Sequence, residues 1–230
     1  MIRLFVQTPV LQQNTFFSIP EAQTHYLSHV MRKNKGDLVA VFNGSHGLWE
    51  AEITAQKKKE IELTCIRLLQ SQPPKKENTL YMAAIKKMDI VIQKATELGI
   101  DKIVPVITQH CAVRAVNGTR LNQIAIEAAE QSERMSVPKI EEAISFDTFL
   151  KTASTEIPLI VLSERSGGQS VPRPHNAAFL VGPEGGFSAG EIQALFQRKN
   201  TTPICLGQHI LRAETAAIAI LSCYFYPVFK

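Results

Sequence analysis

Cysteine, net charge and long apolar runs are all in short supply, and each shortage removes a class of protein. The four cysteines, Cys65, Cys111, Cys205 and Cys223, lie far apart and form no CxxC pair. That spacing argues against a compact zinc module, and thiols in the cytosol stay reduced. No His, Cys or carboxylate grouping has ligand spacing, so no metal site is expected. Apolar stretches fall short of the roughly 20 residues that cross a bilayer, so no membrane partner is expected. The opening MIRLFVQTPVLQQ lacks the basic flank and long apolar core of a secretory leader, which makes the cytoplasm the expected location. Neither GxxxxGKS/T nor an early GxGxxG is present, which excludes the common phosphate-loop and dinucleotide fingerprints. Formal charge is only +4, from 25 Lys and Arg against 21 Asp and Glu. It permits an RNA partner through phosphate attraction without requiring one. Lysine runs at 57–59, 75–76 and 86–87 suit either a solvated surface or a phosphate path.

What is present is enough apolar sequence, 45% of 230 residues, for one large or two smaller domains. Residues 1 to 72 read as β-rich, with apolar segments at 3–6, 38–42, 47–54 and 61–69. Asn43-Gly44 is a turn signal between two of them. A short helix is expected over Glu21 to Arg32, and QSQPPKKEN at 70–78 suits an extended connector. Beyond it the period changes. Strands are expected at 79–85, 103–107, 157–162, 177–182 and in TPICLG, alternating with helices at 87–97, 119–132, 145–152, from Ser188, and over Ala213 to Tyr224. Ser188 and Glu191 match a capping box, and Gly99 stops the first of these helices. The alternation predicts an open α/β domain with buried parallel strands.

Two segments could carry chemistry. LVGPEGGFSAGEI at 180–192 leads an apolar strand through Gly182, Pro183, Gly185 and Gly186 into a capped helix. Such a loop lets backbone groups approach a ligand closely, and it equally describes a tight strand–helix connection. LGQHILRAETAA at 206–217 places Arg212 and Glu214 before an apolar helix. Arg212 could attract RNA or pin an acidic group, while Glu214 could favour the helix start through its charge, and an ion pair between them fits as well. Cys111 beside His110 raises a thiol nucleophile, but sequence neighbours do not make a catalytic pair.

Four blocks together carry a resemblance: IQKATELGI at 92–100, AAEQSER at 128–134, LVGPEGGFSAGEI, and LGQHILRAETAAIAIL at 206–221. With HYLSHVMRKNKGD at 25–37, the chain is similar along nearly its whole length to the ribosomal small subunit uracil-N3-methyltransferase family, a branch of the SPOUT methyltransferases. The resemblance implies a PUA-like β-barrel over 1–72 that binds RNA, followed over 73–230 by an α/β SPOUT domain ending in a trefoil knot. Such a knot is an exception to the rule against threaded chains. It further implies S-adenosylmethionine as cofactor, a homodimer, and 16S rRNA or the assembled small ribosomal subunit as partner. The reaction implied is N3-methylation of a specific uridine. Ribose 2′-O-methylation by another SPOUT branch and a non-catalytic ribosome-assembly role are the alternatives.

Carried onto this chain, the implied cofactor contacts are Leu180, Gly182, Pro183, Glu184, Gly185 and Gly186 on one wall. Leu206, Gly207, Ile210, Leu211 and Arg212 form the other. Arg134, Glu184 and Arg212 are the candidate catalytic residues, and Arg32, Lys33, Lys94, Arg134 and His209 the candidate RNA contacts. Positive charge from Arg134 or Arg212 would stabilise the ring as its N3 proton leaves, while Glu97, Glu184 and Glu214 remain alternative groups to orient it or accept that proton. The chain departs from the family pattern in three places: Gln208-His209 replaces Pro-Arg, Ala213 replaces a threonine, and Glu133 replaces a glycine.

Overall fold

Residues 1–163 and 171–226 are described by a computed structural model, and contacts divide the chain into two units. Met1–Pro74 with Ala129–Val137 form one, and Lys75–Ala128 with Pro138–Lys230 the other.

The amino-terminal unit is built on five strands: β1 (Arg3–Phe5), β2 (Phe16–Ile19), β3 (Leu38–Phe42), β4 (Leu48–Lys57) and β5 (Glu60–Gln70). Their order is β1-β3-β4-β5-β2, with β1 parallel to β3 and every other pair antiparallel. Alternating residues of β4 and β5 face inward, and Ile53, Ile61 and Leu63 meet Leu4, Val39 and Val41 in the core. Asn43 builds the expected turn: its Oδ1 accepts from the backbone N–H groups of Ser45 and His46 at 3.1 and 3.0 Å. β2 has no clear signal in sequence, because a four-residue edge strand is defined by its pairing to β5 more than by its own pattern. The helix expected to reach Arg32 is shorter. α1 (Glu21–His25) passes into a π-helical turn over Tyr26–Val30, and Arg32 leaves the helical region at φ 52°.

The return segment Ala129–Val137 explains one departure from the family pattern. Glu133 sits at φ 62°, a left-handed conformation natural to glycine and costly for a residue with Cβ. Arg3 offsets the cost twice, through Nη1 to the Glu133 carbonyl and Nη2 to its Oε2, both at 2.7 Å. Nearby, the Phe5 N–H donates to Glu130 Oε1 at 2.9 Å.

In the second unit, the described residues form a seven-stranded sheet of β6 (Thr79–Ala83), β7 (Lys102–Ile107), β8 (Lys139–Ile140), β9 (Ile144–Ser145), β10 (Leu159–Leu162), β11 (Ala178–Val181) and β12 (Thr201–Ile204). The order is β12-β10-β11-β6-β7-β8, with β9 also on β7, and all pairs are parallel. Apolar runs such as LYMA and AFLV are buried at every residue, because helices cover both faces of such a sheet. Pro105 accounts for the two-residue pieces β8 and β9. They pair with Lys102–Ile103 and Val106–Ile107 on either side of it, and proline offers no ladder donor. Pro203 is likewise accommodated because β12 is an edge strand.

The helices are α2 (Met88–Leu98), α3 (Gly118–Gln131), α4 (Phe146–Thr152), α5 (Ala189–Gln197) and α6 (Ala213–Phe225). α2 ends at Gly99, whose φ of 109° closes the helix as the sequence predicts. α6 runs parallel to α2: Lys87 meets Glu214 at their starts, and Gly99 lies against the Phe225 ring at their ends. The packing buries Ala217, Ile220 and Leu221, so much of the apolar face of α6 is absorbed within its own unit. At the amino end of β6 the wholly buried Asn78 accepts from Ala177 N at 3.0 Å and Tyr224 Oη at 3.2 Å, and donates to Asp101 Oδ2 at 3.2 Å.

The Arg3–Glu133 account yields a double-mutant cycle in urea unfolding. Glu133→Gly is expected to change stability little, since relief of about 1 kcal/mol of backbone cost opposes loss of a pair worth under about 1 kcal/mol. Arg3→Ala should cost more in the unaltered background than in the Glu133→Gly background. Strictly additive effects would refute the compensation.

Candidate functional site

Parallel strands deliver all their carboxyl ends to one rim, and open α/β sheets bind ligands there. The ends of β10, β11 and β12 surround a cavity of about 670 Å3. β10 contributes Val161, Leu162 and Ser163; the turn after β11 contributes Gly182 through Phe187; the loop after β12 contributes Cys205 to Gly207 and His209 to Arg212. Val181 of β11, Thr201, Pro203 and Ile204 of β12, Ile192, Leu195 and Phe196 of α5, and Ala213 and Ala216 of α6 complete the wall. The lining is mostly apolar side chain and bare backbone, with Glu184, His209 and Arg212 as its charged or titratable groups beside the Cys205 thiol.

Local chemistry shapes the glycine turn. The Gly186 N–H donates to the Pro183 carbonyl at 2.9 Å, and Gly186 holds φ 68°. At Gly185 a Cβ would come within 3.1 Å of the His110 Cβ, so the bare backbone permits the approach of a second loop. The predicted capping box then starts α5: Ser188 Oγ accepts from Glu191 N at 3.3 Å, and Glu191 Oε2 accepts from Ser188 N at 2.8 Å. Glu191 is buried, and its other oxygen accepts from Gln109 N at 2.8 Å. One carboxylate therefore ties the turn after β11 to the loop after β7.

Glu214 sits buried in the first turn of α6 and accepts from Lys87 Nζ at 2.8 Å. Its ion pair is with Lys87, not with Arg212 as the sequence segment alone also allowed. That bond holds the Glu214 carboxyl below the usual carboxylate range against the opposing effect of burial, and the Arg212 charge adds a smaller push. Arg212 itself is exposed at the N-cap of α6.

Ten of the eleven residues expected to contact a cofactor line this cavity: Gly182, Pro183, Glu184, Gly185, Gly186, Leu206, Gly207, Ile210, Leu211 and Arg212. Leu180 does not. It is fully buried in the core with Phe149 and Leu159, because alternation along β11 turns it away and leaves Val181 to reach the cavity. His209, expected to touch RNA, also lines the cavity. Arg134 belongs to the amino-terminal unit and donates from Nη2 to Ser136 Oγ at 3.3 Å. Arg32 and Lys33 follow the π-helical turn of that unit, while Lys94 on α2 bonds Glu97 at 2.9 Å. The wall from β10 and the aromatic and aliphatic side chains of α5 were not legible as site residues, since nothing in LIVLS or in QALFQ marks a ligand surface. Cys111 is buried and its Sγ lies 3.2 Å from Thr108 Oγ1, whereas the His110 ring turns to the glycine carbonyls, so the thiol–imidazole pair is not formed. Among the described residues no three His, Cys, Asp or Glu gather to hold a metal, and no helix is long and apolar enough to cross a membrane.

Comparison with known proteins places these features in a family. Residues 71–224 match the RNA methyltransferase domain, and residues 19–65 match the RNA methyltransferase PUA domain. A Rickettsia conorii protein named ribosomal RNA small subunit methyltransferase E is 35% identical over 228 residues, covering 96% of this chain and 93% of that protein. A Neisseria gonorrhoeae protein of the same name, solved bound to S-adenosylmethionine, aligns with a TM-score of 0.87 at 28% identity, covering 97% of this chain and 96% of that one. A Legionella pneumophila protein solved with the same cofactor aligns with a TM-score of 0.86 at 30% identity, over 96% and 95% of the two chains.

The lowered Glu214 ionisation has a defined pH consequence. A carboxyl held below its unfolded value adds stability above the ordinary carboxylate range, about pH 4.3, and loses it as pH falls through the folded value. Glu214→Gln should therefore lower stability at pH 7 and flatten the decline toward acid, read as urea midpoints from pH 7 to pH 3. Parallel curves for the two proteins would refute the assignment.

Proposed function

Because the chain belongs to the RNA methyltransferase family and carries that family's PUA domain near its amino terminus, we propose that it methylates N3 of a specific uridine in 16S rRNA of the small ribosomal subunit, using S-adenosylmethionine. The observation that carries this reading is the cavity where two glycine-bearing loops meet at the ends of three parallel strands. Its volume of about 670 Å3 falls within the roughly 300–1,000 Å3 of small-molecule sites. Bare backbone at Gly182 and Gly207, with the Gly185 N–H, offers donors and acceptors to an adenine edge, and Val161, Val181, Ile204 and Leu206 offer the apolar wall for its ring. The fit is good. Once bound, this cofactor supplies a methyl group already activated on a sulfonium.

The chain's own residues then hold the base, exclude water and manage one proton. N3 of uracil gives up its proton, to the Glu184 carboxylate or to solvent, and the new N–C bond forms as the methyl–sulfur bond breaks; negative charge spreads over the ring as the proton leaves. Arg212 on one wall of the cavity supports that charge, and Glu184, on the opposite wall, orients the groups around it. Lys87 keeps Glu214 ionised and fixes the start of α6 directly after Arg212. N3 is blocked in a base pair, so the target uridine is unpaired or drawn from its stack. Arg32, Lys33 and Arg134 of the amino-terminal unit, with Lys94 and His209, contact the RNA in this reading.

The same reading takes residues 1–72 as a PUA-like RNA-binding domain and 73–230 as a SPOUT domain with a carboxyl-terminal trefoil knot. It makes the protein a cytoplasmic homodimer. Phe196 and Ile210, 61% and 76% exposed beside the cavity, support a partner surface there.

Nucleoside mass spectrometry after incubation with S-adenosylmethionine tests the proposal. Unmodified small subunits and naked 16S rRNA serve as parallel substrates. The expected product is 3-methyluridine, and Arg212→Ala should lower its rate about 100-fold. A methyl group recovered only on ribose would assign the other SPOUT reaction. No incorporation by protein that binds the subunit would assign a non-catalytic assembly role.

A further inference from the structure

The glycine turn has a brace on its outer side. Gly185 and Gly186 are adjacent and lack Cβ atoms, so the peptide between them meets little steric resistance to rotation. One imidazole holds both carbonyls: His110 Nδ1 lies 3.1 Å from the Gly185 oxygen and 3.2 Å from the Gly186 oxygen. A carbonyl only accepts, so Nδ1 carries the proton and donates to the pair. Each peptide is planar and trans, so a carbonyl turned to His110 turns the next N–H the opposite way. The Gly186 N–H accordingly reaches the Pro183 carbonyl at 2.9 Å, and the same planarity ties the direction of the Phe187 N–H to the Gly186 carbonyl.

The brace is itself well anchored. Gln109 N bonds Glu191 Oε1 at 2.8 Å, directly before His110. Arg114 donates to the carbonyls of Thr108 and Gln109, each at 3.1 Å, and Cys111 is buried directly after. His110 cannot shift without disturbing this packing, whereas the residue is itself exposed and contributes nothing to the core. Its structural connections therefore run to the cavity wall.

We infer that His110 is a positioning residue, which sets the peptide orientations of the Gly185-Gly186 turn before the cofactor arrives. The inference rests on the proposed cofactor site and names the group that keeps it preorganised. Preorganisation lowers the ordering cost of binding without adding a contact, so the effect falls on cofactor affinity more than on turnover.

Two measurements separate the brace from the cofactor reading. In protein without cofactor, His110→Ala should speed amide hydrogen exchange at Gly186 and Phe187 several-fold while the urea midpoint stays unchanged. Calorimetry with S-adenosylmethionine should show a dissociation constant raised roughly 3- to 10-fold, with KM for the cofactor rising more than kcat falls. His110→Asn, whose side-chain amide can still donate, should recover part of the affinity, and His110→Leu should not. Unchanged exchange in His110→Ala, or equal affinity in the Asn and Leu variants, overturns the inference. Failure of the unaltered protein to bind S-adenosylmethionine overturns the proposed function instead, and the exchange measurement still decides on the brace.

Discussion

The carboxylate of Glu191 holds together what would otherwise be separate loops. Backbone N–H groups at a helix start and in a connecting loop need partners, and a buried one left unpaired costs about 1–3 kcal/mol. Glu191 meets two such needs at once, at Ser188 and at Gln109. The first bond starts α5 and sets where the glycine turn ends. The second draws the Thr108–Arg114 loop against that turn, which brings His110 to the Gly185 and Gly186 carbonyls. The outer wall of the cavity follows from that single side chain being buried and shared.

The opposite end of the sheet is organised by Asn78 on the same principle with a different geometry. Its amide joins the start of β6 to Asp101 before β7, to Ala177 before β11 and to Tyr224 near the end of α6. The central strands are thus locked at their amino ends by a satisfied buried network. Their carboxyl ends carry the glycine turns and the open cavity. A rigid floor under a lightly built rim lets bare backbone face a ligand without losing its place.

The three departures from the family pattern have distinct physical settings. Glu133 occupies a left-handed position that glycine would take freely, and Arg3 compensates by binding both its carbonyl and its carboxylate. Ala213 is buried at the first position of α6, where Arg212 provides no side-chain cap; the negative charge of Glu214 in the first turn favours that helix start. Gln208 and His209 are exposed in the loop after β12, and His209 lines the cavity.

The sequence by itself determined the alternation of elements in the second unit, the capping box at Ser188, the stop at Gly99 and nearly all of the glycine-loop residues. These are local: periodicity, a three-residue spacing and the special conformations of glycine are written in consecutive residues. It also carried the order of motifs on which the family resemblance rests. It did not determine which residues stand opposite them. Leu180 entered the expected cofactor wall as the first residue of the motif, yet strand alternation sends it to the core. Lys87 rather than Arg212 neutralises Glu214 from 127 positions away, and His110 braces glycines 75 and 76 positions away. Those partners were decided by the parallel pairing of strands and the packing of α2 beside α6. Both are long-range contacts, and no local pattern encodes which distant group will arrive to satisfy a charge or a carbonyl.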